Sequence, residues 1–209
     1  MAELVGICRF ETVRPKALAS VLDEELHAAH SPRRSQLSAE ALTQMRTRNA
    51  AEGHLRVADG GKVTDWTGWL PGVPEELEAS LLHGGNGKIP DQFDRPFVVL
   101  AQFGGAAGLV GRYFEGGPWP EAFEFDYAAE HEARFRELLE HPGARASAHA
   151  RFARLRKVLD AFRARCLEDG NLFVNAPKLT AARFREILRA TSPTRAINLV
   201  ARVAEELRP

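Results

Sequence analysis

From residue 128 almost to the C-terminus, apolar residues recur at the spacing of three to four that is typical of amphipathic helices. The longest uninterrupted pattern covers residues 145–168. Ser192 followed by Pro193 has the order of a helix N-cap and a first helical residue. The sequence therefore predicts an all-helical C-terminal part over residues 128–209.

The N-terminal part, residues 1–127, contains short apolar runs between helical patterns, which indicates strands. Glycine-rich turns separate two pairs of these runs, as in antiparallel hairpins. A second helix is predicted to begin at Ser38 as its N-cap. We expect an α+β fold with a small, mainly antiparallel sheet, built either as two parts or as one continuous domain. The predicted strands cover residues 4–10, 55–58, 62–66, 97–103 and 109–114.

The net charge of zero conceals two oppositely charged parts. Residues 1–127 carry 12 Lys and Arg against 18 Asp and Glu, whereas residues 128–209 carry 16 against 10. Arginine outnumbers lysine 23 to 5 throughout the chain, so only the clustering of basic residues points to an anionic partner. Seven of them share one predicted helix, and this basic set is the candidate polyanion-binding site: Arg145, Arg151, Arg154, Arg156, Lys157, Arg163 and Arg165.

Two structural interpretations compete with a polyanion surface. The arginine stems can cover the edges of an apolar stripe while their charged heads stay in water. Alternatively, the heads can pair with the surplus acids of residues 1–127. The helical pattern puts Leu159 in the middle of the core-facing stripe and Arg154 on its flank. Periodicity alone does not separate these interpretations from binding of a nucleic acid.

A second candidate site is the long loop over residues 83–95. Its glycine-rich first half ends in a lysine, but a phosphate-binding P-loop needs Ser or Thr next, where this chain has Ile89. The loop nevertheless carries titratable groups of both signs, and long loops in compact domains are often functional. It predicts the alternative function, a small cytoplasmic enzyme that acts on an anionic substrate. The loop's candidate residues are His83, Lys88, Asp91, Asp94 and Arg95.

Two further motifs are weak. Residues 106–111 imitate the second half of a dinucleotide-binding fingerprint, but that motif must open a helix, and here the sequence predicts a strand. Glu24, His27 and His30 share a helical face at a spacing that can present metal ligands, yet no complementary ligands are evident. We therefore expect no cofactor and no metal.

The composition is typical of a cytoplasmic globular protein. The N-terminus lacks the pattern of a secretory signal, and no apolar stretch reaches the length of a membrane span. Cys8 and Cys166 have apolar neighbours and are predicted to be reduced core thiols. The leading hypothesis is a soluble binding protein whose basic helical part contacts a nucleic-acid backbone or an acidic protein. A structural subunit or homo-oligomer, in which charged parts pair between protomers, is a third hypothesis.

Overall fold

The computed structural model describes residues 32–64, 68–82 and 93–207. These residues form a mostly helical fold with one two-stranded parallel sheet, so the α+β expectation of a mainly antiparallel sheet was wrong. The elements in chain order are α1 (Pro32–Glu52), β1 (Arg56–Asp59), α2 (Gly72–Leu81), β2 (Phe97–Leu100), α3 (Gly105–Phe114), α4 (Phe125–His131), α5 (Ala133–Leu139), α6 (Ala144–Leu167), α7 (Ala181–Leu188) and α8 (Pro193–Glu206).

The strands pair across a long separation in sequence and not within a local hairpin. Residues 56–59 of β1 lie opposite residues 97–100 of β2 in parallel register. The expected hairpin partner of β1, residues 62–66, forms no strand over its described residues 62–64. All four residues of β2 are buried, as is typical of a parallel strand covered on both faces.

The segment predicted as a strand at residues 109–114 is the second half of helix α3. A segment of only six residues, most of them apolar or aromatic, fits a strand and a buried helix equally well, and the neighbouring glycines favoured the strand. The structure shows that Ala106, Val110, Tyr113 and Phe114 are buried along one helical face. The premise that residues 106–111 do not open a helix was therefore wrong.

The start of α1 also differs from the prediction. The helix already includes Pro32, so Ser38 lies inside it and is not its N-cap. Proline tolerates the first helical turn because its missing N–H would lack an intrahelical partner there. The predicted strand at residues 4–10, the preceding helix with its Glu24, His27 and His30, and Cys8 lie outside the described residues.

Helix α6 passes through the centre of the core, and its predicted apolar stripe is confirmed. Phe152, Leu155, Leu159, Phe162 and Cys166 are all buried. The ring of Phe162 lies at 4.7–5.7 Å, centroid to centroid, from five other phenylalanine rings. These come from β2, α3, α7 and the connections around them, so one aromatic cluster joins both predicted parts of the chain. Its other members are Phe93, Phe97, Phe114, Phe173 and Phe184.

Candidate functional site

The carboxyl ends of β1 and β2 meet at one edge of the sheet because the two strands are parallel. Asp59, the last residue of β1, lies opposite Leu100, the last residue of β2. A short 3-10 turn over Ala101–Phe103 follows β2, and a glycine pair then leads into α3. The order of strand, glycine turn and helix is the one that dinucleotide-binding folds use, and there the ligand lies outside the carboxyl ends of the strands.

Glycine is required where the two turns of this edge touch. Gly105 has a φ of 58°, and a Cβ placed on it would overlap the carbonyl oxygen of Gly61. Two N–H groups in the first turn of α3 already have partners, since Ala106 donates to Gly61 O at 3.1 Å and Ala107 donates to Gly60 O at 2.8 Å. These two donors are therefore not open to a phosphate, and a ligand at this edge would be held mainly by side chains.

One side chain at this edge has an unusual environment. Both polar atoms of the Gln102 amide, Oε1 and Nε2, are buried and have no hydrogen-bond partner among the described residues. Such groups are uncommon because burying an unpaired polar group costs about 1–3 kcal/mol. The Asp59 residue at the end of β1 is exposed. Sequence reasoning missed both residues, because a single Gln after an apolar run carries no pattern.

The basic set lies along α6, and three of its arginines bond to acids of residues 1–127. Arg151 bonds to Glu40 at 3.2 Å, Arg154 to Glu78 at 2.7 Å and Arg156 to Glu124 at 2.9 Å. The oppositely charged parts thus pair within the chain, as the second structural interpretation expected.

The remaining members of the basic set have other surroundings. The guanidinium of Arg163 lies 4.7 Å from the centre of the Tyr113 ring, and that of Arg145 lies 5.6 Å from the centre of the Phe125 ring. Lys157 is exposed on the solvent side of α6, and Arg165 is exposed near its end. Polyanion binding by the basic set stays a prediction. Three of its seven positive charges already form ion pairs within the chain.

A buried carboxylate, Glu75, connects α2 to α1. Its side chain is 2% exposed and bonds to Arg46 and Thr43 of α1. Burial raises the pKa of the Glu75 carboxyl, and Arg46 opposes that rise. On the same face of α2, Glu78 raises the pKa of Arg154 through their hydrogen bond. Matched opposite charges in a helix interface indicate a structural role.

The loop over residues 83–95 is described only at its end. Asp94 and Arg95 are both half-buried, and the backbone oxygen of Asp94 accepts a hydrogen bond from Asn175 Nδ2 at 3.1 Å. His83, Lys88 and Asp91 lie outside the described residues. The catalytic interpretation of this loop therefore stays a prediction.

The described residues provide neither a reactive thiol nor a group of metal ligands. Cys166 is fully buried, and burial raises the pKa of its thiol, which keeps it protonated at neutral pH. Over residues 32–64, 68–82 and 93–207, no three His, Cys, Asp or Glu side chains are grouped so that they could hold a metal ion.

None of the helices within residues 32–64, 68–82 and 93–207 is both long enough and apolar enough to cross a membrane.

Comparison with known proteins places this chain in a family. No curated protein and no solved structure matches it. A family model described as SLOG cluster2 matches residues 2–172, a region that contains β1, β2, α3 and all of α6 but ends before α7 and α8. Because the match covers most of its length, the chain belongs to the SLOG cluster2 family.

Proposed function

We propose that this chain is a binding protein for a small nucleoside-containing ligand, which it holds at the carboxyl edge of β1 and β2. The observation that carries the proposal is the buried, unpartnered amide of Gln102. The edge lies within the region that the family model matches, so it belongs to the part of the chain that this family shares. Open sheets with parallel strands bind ligands at this edge in many unrelated proteins.

The amide of Gln102 has the chemistry to recognise a base. It combines an N–H donor and a carbonyl acceptor, and Gln or Asn pairs through both with the edge of adenine. A ligand that made these two bonds would remove the cost of the unpartnered amide. The side chain is held in the turn between β2 and α3, on backbone fixed by the hydrogen bond from Gly104 N to Ala101 O at 3.1 Å.

Asp59 supplies the second expected contact. It ends β1 directly beside the end of β2, and its carboxylate is exposed. An acid at the end of a neighbouring strand is the group that binds ribose hydroxyls in dinucleotide-binding folds. Because the N–H groups of Ala106 and Ala107 already donate to Gly61 and Gly60, we expect side chains at this edge to recognise the nucleoside and not its phosphate.

Gln102→Leu tests this proposal in the full chain. We expect it to abolish nucleoside binding, measured by isothermal titration calorimetry with adenosine, guanosine, cytidine and uridine. We also expect the melting temperature to stay equal or rise, because an apolar side chain of similar size replaces an unpaired buried amide. An equal or higher melting temperature together with loss of binding distinguishes a ligand contact from a structural one.

Gln44→Leu is the matched control, since Gln44 is exposed on α1 and outside this edge. It should leave binding unchanged. If wild-type protein binds none of the four nucleosides, or if Gln102→Leu binds as well as wild type, the proposal fails.

Contact of the basic set with a polyanion is the second candidate. Arg145 and Lys157 favour it, because both are exposed on α6 and neither forms an ion pair with a described residue. If both contact phosphates of duplex DNA, Arg145→Ala with Lys157→Ala should reduce the slope of log affinity against log salt by about 1.8, or about 0.9 per contact. Arg154→Ala should change the slope little because Arg154 bonds to Glu78. No DNA binding at low salt would exclude this function.

A further inference from the structure

Helices α7 and α8 form an arginine-lined cleft beyond the region matched by the family model. Its volume is about 360 Å³, and we call it the arginine cleft. Three guanidinium groups, one carboxylate and one alanine line it. The lining residues are Ala182, Arg185, Glu186, Arg189 and Arg195.

The two helices fix where these arginines lie. Arg185 lies on α7, and Arg189, four residues later, is the C-cap of that helix and donates its backbone N–H to Arg185 O at 3.1 Å, so the two lie on the same side. The opposite side of α7, with Phe184 and Ile187, is buried in the core. Arg195 lies in the first turn of α8, where its backbone N–H donates to the capping Ser192 hydroxyl at 3.1 Å. Three cations from two separate helices thus face one space.

Each arginine retains donors for a ligand. A guanidinium carries five N–H groups. Arg189 donates through Nε to Glu115 at 2.5 Å, which leaves both of its terminal nitrogens. Arg195 donates through one terminal nitrogen to Glu186 at 3.1 Å. Arg185 is the most firmly held, because it bonds to the backbone oxygen of Cys166 at 3.0 Å and to Asp169 at 3.1 Å.

The existing ion pairs are weak competitors for a bound anion. The side chains of Arg189 and Arg195 are 64% and 63% exposed, and exposed pairs gain little from water-screened attraction. A phosphoryl group accepts several charge-assisted hydrogen bonds at once, and arginine matches its geometry through two parallel bonds. A phosphoryl group that bonds to several of these arginines at once replaces their single carboxylate contacts with paired ones.

We propose that the arginine cleft binds a phosphate-bearing ligand. Its volume falls at the lower end of small-molecule sites, which span about 300–1,000 Å³, and exceeds that of a single phosphate. The recognised chemistry is one or two phosphoryl groups, carried either by a small molecule or by a nucleic-acid backbone. The cleft is separate from the nucleoside site at the sheet edge and does not depend on it.

Calorimetric titration of the full chain with pyrophosphate, at low salt, tests the proposal. We expect Arg189→Gln with Arg195→Gln to lower pyrophosphate affinity at least about tenfold, because two charge-assisted contacts are lost. Arg189→Lys should lose part of that affinity, since it keeps the charge but not the paired donors. Unchanged melting temperatures would show that the variants fold.

Arg183→Gln is the matched control. Arg183 lies on the same helix, bonds to Glu206 at 2.6 Å and does not line the cleft. It should bind pyrophosphate like wild type, as should Gln102→Leu. A single-stranded oligonucleotide that competes with pyrophosphate for this site would identify a nucleic acid as the source of the phosphate. Failure of the oligonucleotide to compete would exclude a nucleic-acid backbone of this kind as the source and leave a small phosphate-bearing molecule as the expected ligand.

Three results would overturn the proposal. Wild-type protein that binds neither pyrophosphate nor the oligonucleotide would exclude a phosphate site. Equal affinity in wild type and in the double variant would place any binding elsewhere. An equal loss in Arg183→Gln would show only general attraction by the positive charge of the helices.

Discussion

Phe162→Ala should lower the free energy of unfolding by about 3–5 kcal/mol, the usual cost of removing a buried aromatic ring. The ring is fully buried on α6 and packs against five other phenylalanine rings. Its loss leaves a cavity whose walls belong to β2, α3 and α7 and cannot all collapse into it. Urea unfolding followed by circular dichroism measures the effect.

Lys157→Ala on the same helix is the control for this prediction. Lys157 is exposed, so its removal should change the free energy of unfolding by less than about 0.5 kcal/mol. Alanine has a high helix propensity, so the substitution adds no unfavourable backbone contribution to the free energy of unfolding. Equal losses at the two positions would mean that Phe162 is not the centre of the core.

The helices whose signals are local could be predicted from the sequence. Helix α6 carries its apolar stripe over 24 residues, a length at which a helical period differs clearly from the alternation of a strand. The side chain of Ser192 caps α8, as its place before Pro193 predicted, and the side chain of Thr180 caps α7 in the same way.

The sheet could not be predicted because its determinants are distant in sequence. Residues 56–59 pair with residues 97–100, and no turn between them reveals this register. The glycines near residue 105 suggested a hairpin, yet they allow the turns after β1 and β2 to touch. A short apolar run beside glycines has no period long enough to distinguish α3 from a strand.

The candidate sites also depend on contacts between residues that are distant in sequence. Clustering in sequence singled out the basic set, but pairing with Glu40, Glu78 and Glu124 depends on how α6 packs. The role proposed for Gln102 depends on the burial of its amide. The arginine cleft depends on the packing of α7 against α8. Counts of charged residues along the sequence show neither feature. Charged residues three or four apart on a helix usually indicate a solvated face, so the burial of Glu75 was also not predicted.

Glu75 makes the interface between α1 and α2 sensitive to pH through its partner Arg46. Burial raises the pKa of this carboxyl above 4.5, whereas Arg46 lowers it. Arg46→Met keeps most of the apolar stem but removes the charge, so the pKa of Glu75 in the folded state should rise further. Near pH 4 the carboxyl is then protonated in the folded protein and mostly protonated in the unfolded one. Loss of the Arg46 charge should therefore change the free energy of unfolding only slightly at pH 4.

At pH 7 the unfolded chain has an ionised Glu75, and the folded variant must either bury an unpaired charge or retain a proton. A carboxyl whose folded-state pKa is raised contributes stability that is lost as pH rises from its unfolded value through its folded value. Arg46→Met should therefore cost about 3–5 kcal/mol at pH 7 and clearly less at pH 4. Urea unfolding at both pH values measures the difference. Adding Glu75→Gln should restore most of the stability at pH 7 and remove this pH dependence, since residue 75 then carries no charge that lacks a partner. An equal loss at both pH values would show that Arg46 stabilises the interface by packing and not by pairing with Glu75.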